Sequence, residues 1–179
     1  MINSILIGII IASSVVIIDQ VTKILMMAIL YDAPGHNITL INNFLSLKLQ
    51  FNDGAAFSMQ LPHFVLVFLP ILATIVFFFM ARKASWKKNK LYYLGLYMMI
   101  RGTIGNFIDR AYAIDKSAWF PGLEAFKYTV CDFISFHFFP ATFNIADSFL
   151  CVGVALVLID IIFLDGKRDK GNAFTSSEE

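Results

Sequence analysis

Two aspartates lie where a membrane-spanning chain would be expected to exclude them. Asp132 lies in the stretch VCDFISF, and Asp147 lies in FNIADSF at the start of the last apolar segment. An ionised carboxylate near hydrocarbon is costly unless it is paired or reaches water. Two carboxylates that share one proton can activate water for hydrolysis, as in aspartic peptidases. The two residues therefore predict an acid–base site in a membrane protein.

Asp147 also has a structural interpretation. It follows Asn144 at the start of a predicted helix, where a carboxylate complements the positive end of the helix dipole. A nearby Asp132 weakens this interpretation, because two close carboxylates repel and titrate as a unit. The residues alone leave both interpretations open.

The composition is that of an integral membrane protein. Hydrophobic residues make up 58% of the 179 positions, charged residues 15%, and the mean hydropathy is +0.72. A soluble domain of this size could not bury so much apolar surface. Basic residues are not interleaved with aromatics in a nucleic-acid-binding pattern. The two cysteines, Cys131 and Cys151, form no CxxC pair, and neither a disulfide framework nor a metal site is predicted.

Four segments are long enough to cross a membrane as helices, which takes about 20 apolar residues. They cover about 4–29, 64–81, 91–108 and 143–164. The third is the least apolar, because it contains Arg101 and ends in NFIDR. The first lacks a charged leader and a cleavage site, so it is a predicted span and not a signal peptide. We predict one membrane-embedded domain, 1–165, and a polar cytoplasmic tail, 166–179.

Positive charge predicts the orientation of these spans. It concentrates after the second and fourth spans, at Arg82, Lys83, Lys87, Lys88, Lys90, Lys167, Arg168 and Lys170. The positive-inside rule places both segments, and with them the N-terminus, in the cytoplasm. Segments 31–63 and 109–142 then face outward.

The first outer segment contains a predicted strand. From Leu45 to Asn52 apolar and polar residues alternate, which is typical of a half-buried strand that lies on the bilayer surface or packs over the helices. The stretch from Tyr128 to Phe133 is a second candidate strand.

Polar residues elsewhere allow two interpretations each. Asp19 and Lys23 lie one helical turn apart and can pair, either as an interfacial pair or as a support for an outer site. Asn52, Asp53 and Gly54 predict a turn, which could also admit a peptide.

The third span carries a similar pattern. Gly102, Asn106 and Asp109 recur at helical spacing before Arg110. Small residues let helices approach closely, so this face is either a packing seam or the wall of a polar site.

Five short motifs occur in order along the chain, and together they resemble those of bacterial lipoprotein signal peptidases, the signal peptidase II family. They are DQVTK at 19–23, NDGAAF at 52–57, GNFIDR at 105–110, VCDFI at 130–134 and FNIADS at 143–148. The resemblance covers the chain from the first span through the fourth.

The resemblance implies an α-helical integral membrane protein with four transmembrane helices and a small extracytoplasmic β cradle. It implies an aspartic endopeptidase, without cofactor or metal, in the bacterial cytoplasmic membrane. Such enzymes cut signal peptides from prolipoproteins before a cysteine that carries diacylglycerol, and we expect a monomer. Asp132 and Asp147 match the catalytic pair. The residues that match the other motif positions, which support the pair or contact substrate, are Asp19, Lys23, Asn52, Gly54, Asn106, Asp109, Arg110, Asn144 and Ala146.

Two features depart from the family pattern. Arg101 precedes Gly102 where the family usually has a second glycine, which questions close packing of the third helix. The stretch from Arg110 to Asp132 is long, and we expect Trp119, Phe120 and Glu124 to enlarge a lid or the cradle.

A different class of function is also compatible with intramembrane charges. A small transporter or a proton-conducting channel subunit would carry them along a path from one face to the other. Here they cluster toward the outer ends of spans one, three and four, which disfavours that class. A purely structural subunit would leave the five motifs unexplained.

Overall fold

The computed structural model describes residues 2–54, 59–86, 88–111 and 128–165. Its helices are α1 (Ile2–Tyr31), α2 (His63–Lys83), α3 (Lys90–Ala111) and α4 (Ile145–Ile159), and α4 continues as a π-helical turn, Asp160–Asp165. They cover the four segments in which helices are predicted. The predicted lid residues Trp119, Phe120 and Glu124, and the predicted tail, lie outside the described residues.

Within the described residues, three stretches are long and apolar enough to cross a membrane: Ser13–Tyr31, His63–Lys83 and Ile145–Leu164. Helix α3 has the length but is less apolar, because its buried face carries Arg101, Asp109 and Arg110. The start of α4 also differs from the predicted start at 143. Thr142 and Phe143 pair in the sheet, and Asn144 caps the helix.

The strands β1 (Asn37–Ile41), β2 (Leu45–Asn52), β3 (Val130–Phe136) and β4 (Thr142–Phe143) form one antiparallel sheet in the order β1-β2-β3-β4. The prediction of β2 is confirmed. Strand β3 begins after the predicted Tyr128 and extends beyond Phe133. Strands β1 and β4 were not predicted, because β1 is largely exposed and β4 has only two residues.

The apolar face of β2 packs over a helix. Leu47, Leu49 and Phe51 contact a cluster that includes Met27 and Leu30 near the end of α1. Of the two predicted places for this strand, packing over the helices is the one observed.

An irregularity in β2 decides what its other face presents. The register shifts between Leu47, which pairs with Ile134, and Gln50, which pairs with Asp132. A bulge of this kind adds a residue to one strand and re-aims its side chains. As a result Gln50 and Asn52 line the same cavity as Asp132.

Helices α3 and α4 pack closely through glycines. A Cβ atom on Gly153 would lie 2.7 Å from the carbonyl oxygen of Gly95, and one on Gly102 would lie 2.5 Å from that of Ala146. The doubt raised by Arg101 was therefore misplaced: Arg101 is buried and Gly102 still contacts α4. This contact brings the polar end of α3 against the start of α4.

Candidate active site

The carboxylate of Asp132 is buried and held by two amide donors. Asp132 lies on β3 and is 2% exposed. Its Oδ2 accepts a hydrogen bond from Asn52 Nδ2 at 3.2 Å, and its Oδ1 accepts one from Asn144 Nδ2 at 2.7 Å. One donor comes from β2 and the other from the start of α4, so this carboxylate joins the sheet to the helices.

Asp147 lies in the first turn of α4 and forms a capping box with Asn144. Its Oδ2 accepts from the Asn144 backbone N–H at 3.1 Å, and its own N–H donates to Asn144 Oδ1 at 2.9 Å. Its Oδ1 accepts from Asn106 Nδ2 at 2.7 Å. The predicted role of Asp147 at the start of the helix is therefore observed. Its Oδ1 also contacts α3, and the residue lines the cavity.

The asparagine amides that meet these carboxylates are oriented by groups that can only donate. Lys23 Nζ donates to Asn106 Oδ1 at 3.1 Å, and the Gly54 N–H donates to Asn52 Oδ1 at 3.0 Å. The oxygen of Asn144 is likewise taken by a backbone N–H. Each amide therefore turns its NH2 end toward a carboxylate.

Lys23 is the central cation of this network. Its Nζ lies 2.8 Å from Asp19 Oδ2 and 2.6 Å from Asp109 Oδ2, and its side chain is 2% exposed. The Asp19–Lys23 pair is therefore buried between α1 and α3, and the Lys23 ammonium does not reach the protein surface as the interfacial interpretation required. Because Lys23 also orients Asn106, the ion pairs support the carboxylate pair.

Asp19 holds the N-terminus of α4. Its Oδ1 accepts from the Ala146 N–H at 2.8 Å. This contact satisfies a first-turn N–H and adds negative charge at the positive end of the helix. Gly105 allows it, since a Cβ atom there would lie 2.8 Å from Asp19 Oδ2. Gln20, which sequence reasoning missed although it lies within DQVTK, donates to the Gly105 carbonyl at 3.3 Å.

Arg110 fixes the turn after β2. Its Nη2 donates to the Gly54 carbonyl at 2.7 Å, and its side chain lines the cavity. The predicted turn at Asn52–Gly54 is therefore present, and the same contacts that close it point Asn52 at Asp132.

The electrostatic environment makes Asp132 hard to ionise. Burial, and then the charge of Asp147, raise its pKa to about 7, against the opposing effect of hydrogen bonds from Asn52 and Asn144. A carboxyl group with such a pKa can hold a proton at neutral pH and donate it. The environment thus supplies one of the two forms that an acid–base pair needs.

Both carboxylates face a cavity of about 700 Å³ between the sheet and helices α2, α3 and α4. The α2 wall is apolar and includes Leu66, Leu69 and Phe77, whereas the sheet wall carries Gln50 and Thr142. The cavity can therefore take a substrate that is apolar on one side and polar on the other.

The structure brings all the candidate site residues into one network. Asn52, Asn106 and Asn144 donate directly to Asp132 or Asp147, and Gly54 and Lys23 each donate to one of these asparagines. The remaining four residues join the network through Lys23 or Gly54: Asp19, Asp109, Ala146 (by way of Asp19) and Arg110. Gln50 and Thr142 were missed; the polar positions of β2 were the only signal for Gln50. Among the described residues, no group of three or more His, Cys, Asp and Glu side chains could hold a metal ion.

Comparison with known proteins identifies the family of this chain. Residues 11–163 match the family described as signal peptidase (SPase) II. A lipoprotein signal peptidase of Caldanaerobacter subterraneus subsp. tengcongensis is 37% identical over 90% of this chain and 99% of its own length. That of Bacillus pumilus is 35% identical over 90% and 95%.

Solved structures share this fold. A bacterial membrane enzyme solved by the in meso method at 2.3 Å resolution has a TM-score of 0.67 and 29% identity, over 87% of each chain. Another, at 1.9 Å, has a TM-score of 0.66 and 29% identity, over 88% of this chain and 93% of its own.

Two carboxylates beside a cavity among apolar helices are what a membrane aspartic peptidase requires, and the family match gives this class. The chain belongs to the signal peptidase II family.

We expect Lys23→Met to destabilise the protein strongly. The change leaves the buried Asp19 and Asp109 carboxylates without their cation, which typically costs about 3–5 kcal/mol. Thermal unfolding in detergent measures the effect. The control is Lys48→Met, at an exposed position of β2, which should unfold like the wild type. An unchanged midpoint for Lys23→Met would contradict the role given to this ion pair.

Proposed function

We propose that this chain removes signal peptides from diacylglyceryl-modified prolipoproteins by cleaving before the lipidated cysteine. The observation that carries the proposal is the pair of carboxylates, a buried Asp132 and a half-buried Asp147, linked through Asn144 at the wall of one cavity. The two lipoprotein signal peptidases similar to this chain supply the substrate class.

In the proposed mechanism the pair carries one proton. Asp147, ionised, accepts a proton from water, which attacks the scissile carbonyl. Asp132, whose pKa is raised to about 7, donates to the carbonyl oxygen. Asn106 and Asn144 keep the Asp147 carboxylate in place while its charge changes. Every side chain needed comes from one chain, which supports a monomeric enzyme.

We further propose that α3 is a fourth transmembrane helix and that the sheet is an extracytoplasmic cradle. Polar residues of α3 turn toward the protein, so its lower hydropathy does not expose charge to lipid. The basic residues between α2 and α3 support a cytoplasmic location for that connection, and hence for both termini. The carboxylates then lie near the outer face, where a substrate anchored by its lipid can reach them.

Cysteine labelling in intact cells tests this orientation. In a background without the two native cysteines, Asp53→Cys should react with a membrane-impermeant maleimide from outside. Lys88→Cys, exposed between α2 and α3, should react only after permeabilisation. The reverse pattern would overturn the proposed orientation.

We expect Asp132→Asn and Asp147→Asn each to lower cleavage by at least about 100-fold, because each removes one member of an acid–base pair. The assay follows a purified diacylglyceryl prolipoprotein peptide in detergent, and thermal unfolding shows whether each variant is folded.

The matched control is Asp53→Asn, an exposed carboxylate beside the site that accepts from Gln60. It should keep wild-type activity. A fully active Asp132→Asn or Asp147→Asn variant would contradict the proposed catalytic pair. A folded wild type that cleaves nothing would contradict the proposed peptidase function.

We expect kcat/KM to fall on the alkaline side with an apparent pKa near 7, as Asp132 loses its proton. The Asn52 hydrogen bond favours the ionised form, so Asn52→Ala should move this limb to higher pH. A limb that moves to lower pH in Asn52→Ala would contradict the assignment of this pKa to Asp132.

The same raised pKa of Asp132 predicts a contribution to the free energy of unfolding that is full below about pH 4 and is lost as the pH rises through about 7.

A further inference from the structure

A fourth side-chain amide faces the site, and the mechanism above gives it no task. Gln50 lies on β2 directly opposite Asp132 on β3, and it lines the cavity together with Asp132 and Asp147. Residues directly opposite in an antiparallel pair have Cβ atoms about 4.5–5.5 Å apart. The Gln50 carboxamide is therefore within reach of whatever occupies the space beside Asp132.

The oxygen end of this amide is already engaged. Thr142 Oγ1, on β4, donates to Gln50 Oε1 at 2.8 Å. Because β3 lies between β2 and β4, the contact crosses the cavity face of the sheet. With Oε1 held there, the NH2 end of Gln50 remains for another acceptor.

Gln50 differs from the three asparagines of the site in the partner of its NH2 group. In Asn52, Asn106 and Asn144 a donor occupies the oxygen, and the NH2 end meets a carboxylate of the pair. Gln50 follows the same arrangement at its oxygen, yet within the parts of the chain that the structure describes no hydrogen bond from its Nε2 is found. A donor held in this way beside a carboxylate is suited to an acceptor that arrives with the substrate.

The two walls of the cavity indicate which acceptor this is. The α2 wall is apolar and suits the apolar signal peptide and the lipid, whereas Gln50 and Thr142 belong to the sheet. The polar mature chain must leave along the sheet, and its first main-chain carbonyl is that of the lipidated cysteine. Resting on the proposed function, we propose that Gln50 binds this carbonyl through a hydrogen bond from Nε2.

Two substrates that differ only in the carboxamide that contains this carbonyl test the proposal. One ends in diacylglyceryl-cysteine amide, and the other ends in the matching diacylglyceryl-cysteamine, which keeps the scissile amide but lacks the cysteine carbonyl. Gln50→Ala should lower kcat/KM for the first roughly three- to tenfold, which is the range for one hydrogen bond, and leave the second unchanged. The wild type should lose a similar factor between the two substrates.

The control variant is Lys48→Ala, at an exposed position of the same strand, which should treat both substrates as the wild type does. If Gln50→Ala slows both substrates equally, Gln50 only supports the sheet and the proposal is overturned. The kinetic parameters add a check: if Gln50 contacts the bound substrate, Gln50→Ala should raise KM and leave kcat little changed.

Binding separates this proposal from the proposed function. Affinity for each peptide is measured with the inactive Asp147→Asn protein, with and without Gln50→Ala. Loss of affinity only for the peptide with the carbonyl supports the Gln50 contact even if the wild type cleaves nothing. Cleavage with no such discrimination leaves the peptidase standing and removes the contact, and absence of both cleavage and binding removes both.

Discussion

The arrangement of the site depends on the orientation of side-chain amides by groups that can only donate. The Lys23 ammonium has no acceptor, so the oxygen of Asn106 must face it and the NH2 end must face Asp147. Backbone N–H groups impose the same order on Asn52 and Asn144. An amide that could turn over would present an oxygen to a carboxylate and repel it. Groups that do not touch the two aspartates thus position them, because these groups orient the asparagines that do.

The same contacts hold the helices together. Lys23 and Asp19 belong to α1, Asp109 to α3, and the Ala146 N–H that Asp19 accepts belongs to α4. Each of these charges would be costly among apolar helices without the others. The start of α4, which carries Asp147, is therefore set by an acidic residue more than a hundred positions earlier in the chain. Stability and the geometry of the site cannot be varied separately here.

Local patterns in the sequence predicted the parts of the site that local geometry decides. Helical spacing predicted that Asp19 and Lys23 would meet, and alternation predicted β2. The position of Gln50 at the cavity depends on a bulge and on pairing with a strand far along the chain, so spacing could not show it. Helix α3 has low hydropathy because it contains Arg101 and other polar residues. These residues face the protein, and a hydropathy count cannot distinguish such burial from exposure to water.

The two carboxylates differ in what holds them, and this difference suits their proposed roles. Asp147 is part of the α4 capping box, a local contact between residues three apart in the chain. Asp132 lies on a strand, and one of its donors depends on a turn that Arg110 holds from α3. A substrate that fills the cavity excludes water beside Asp132, and further burial raises the pKa of a carboxyl group. Binding would therefore hold the shared proton on Asp132 until the carbonyl oxygen needs it, while Asp147 stays ready to accept one from water.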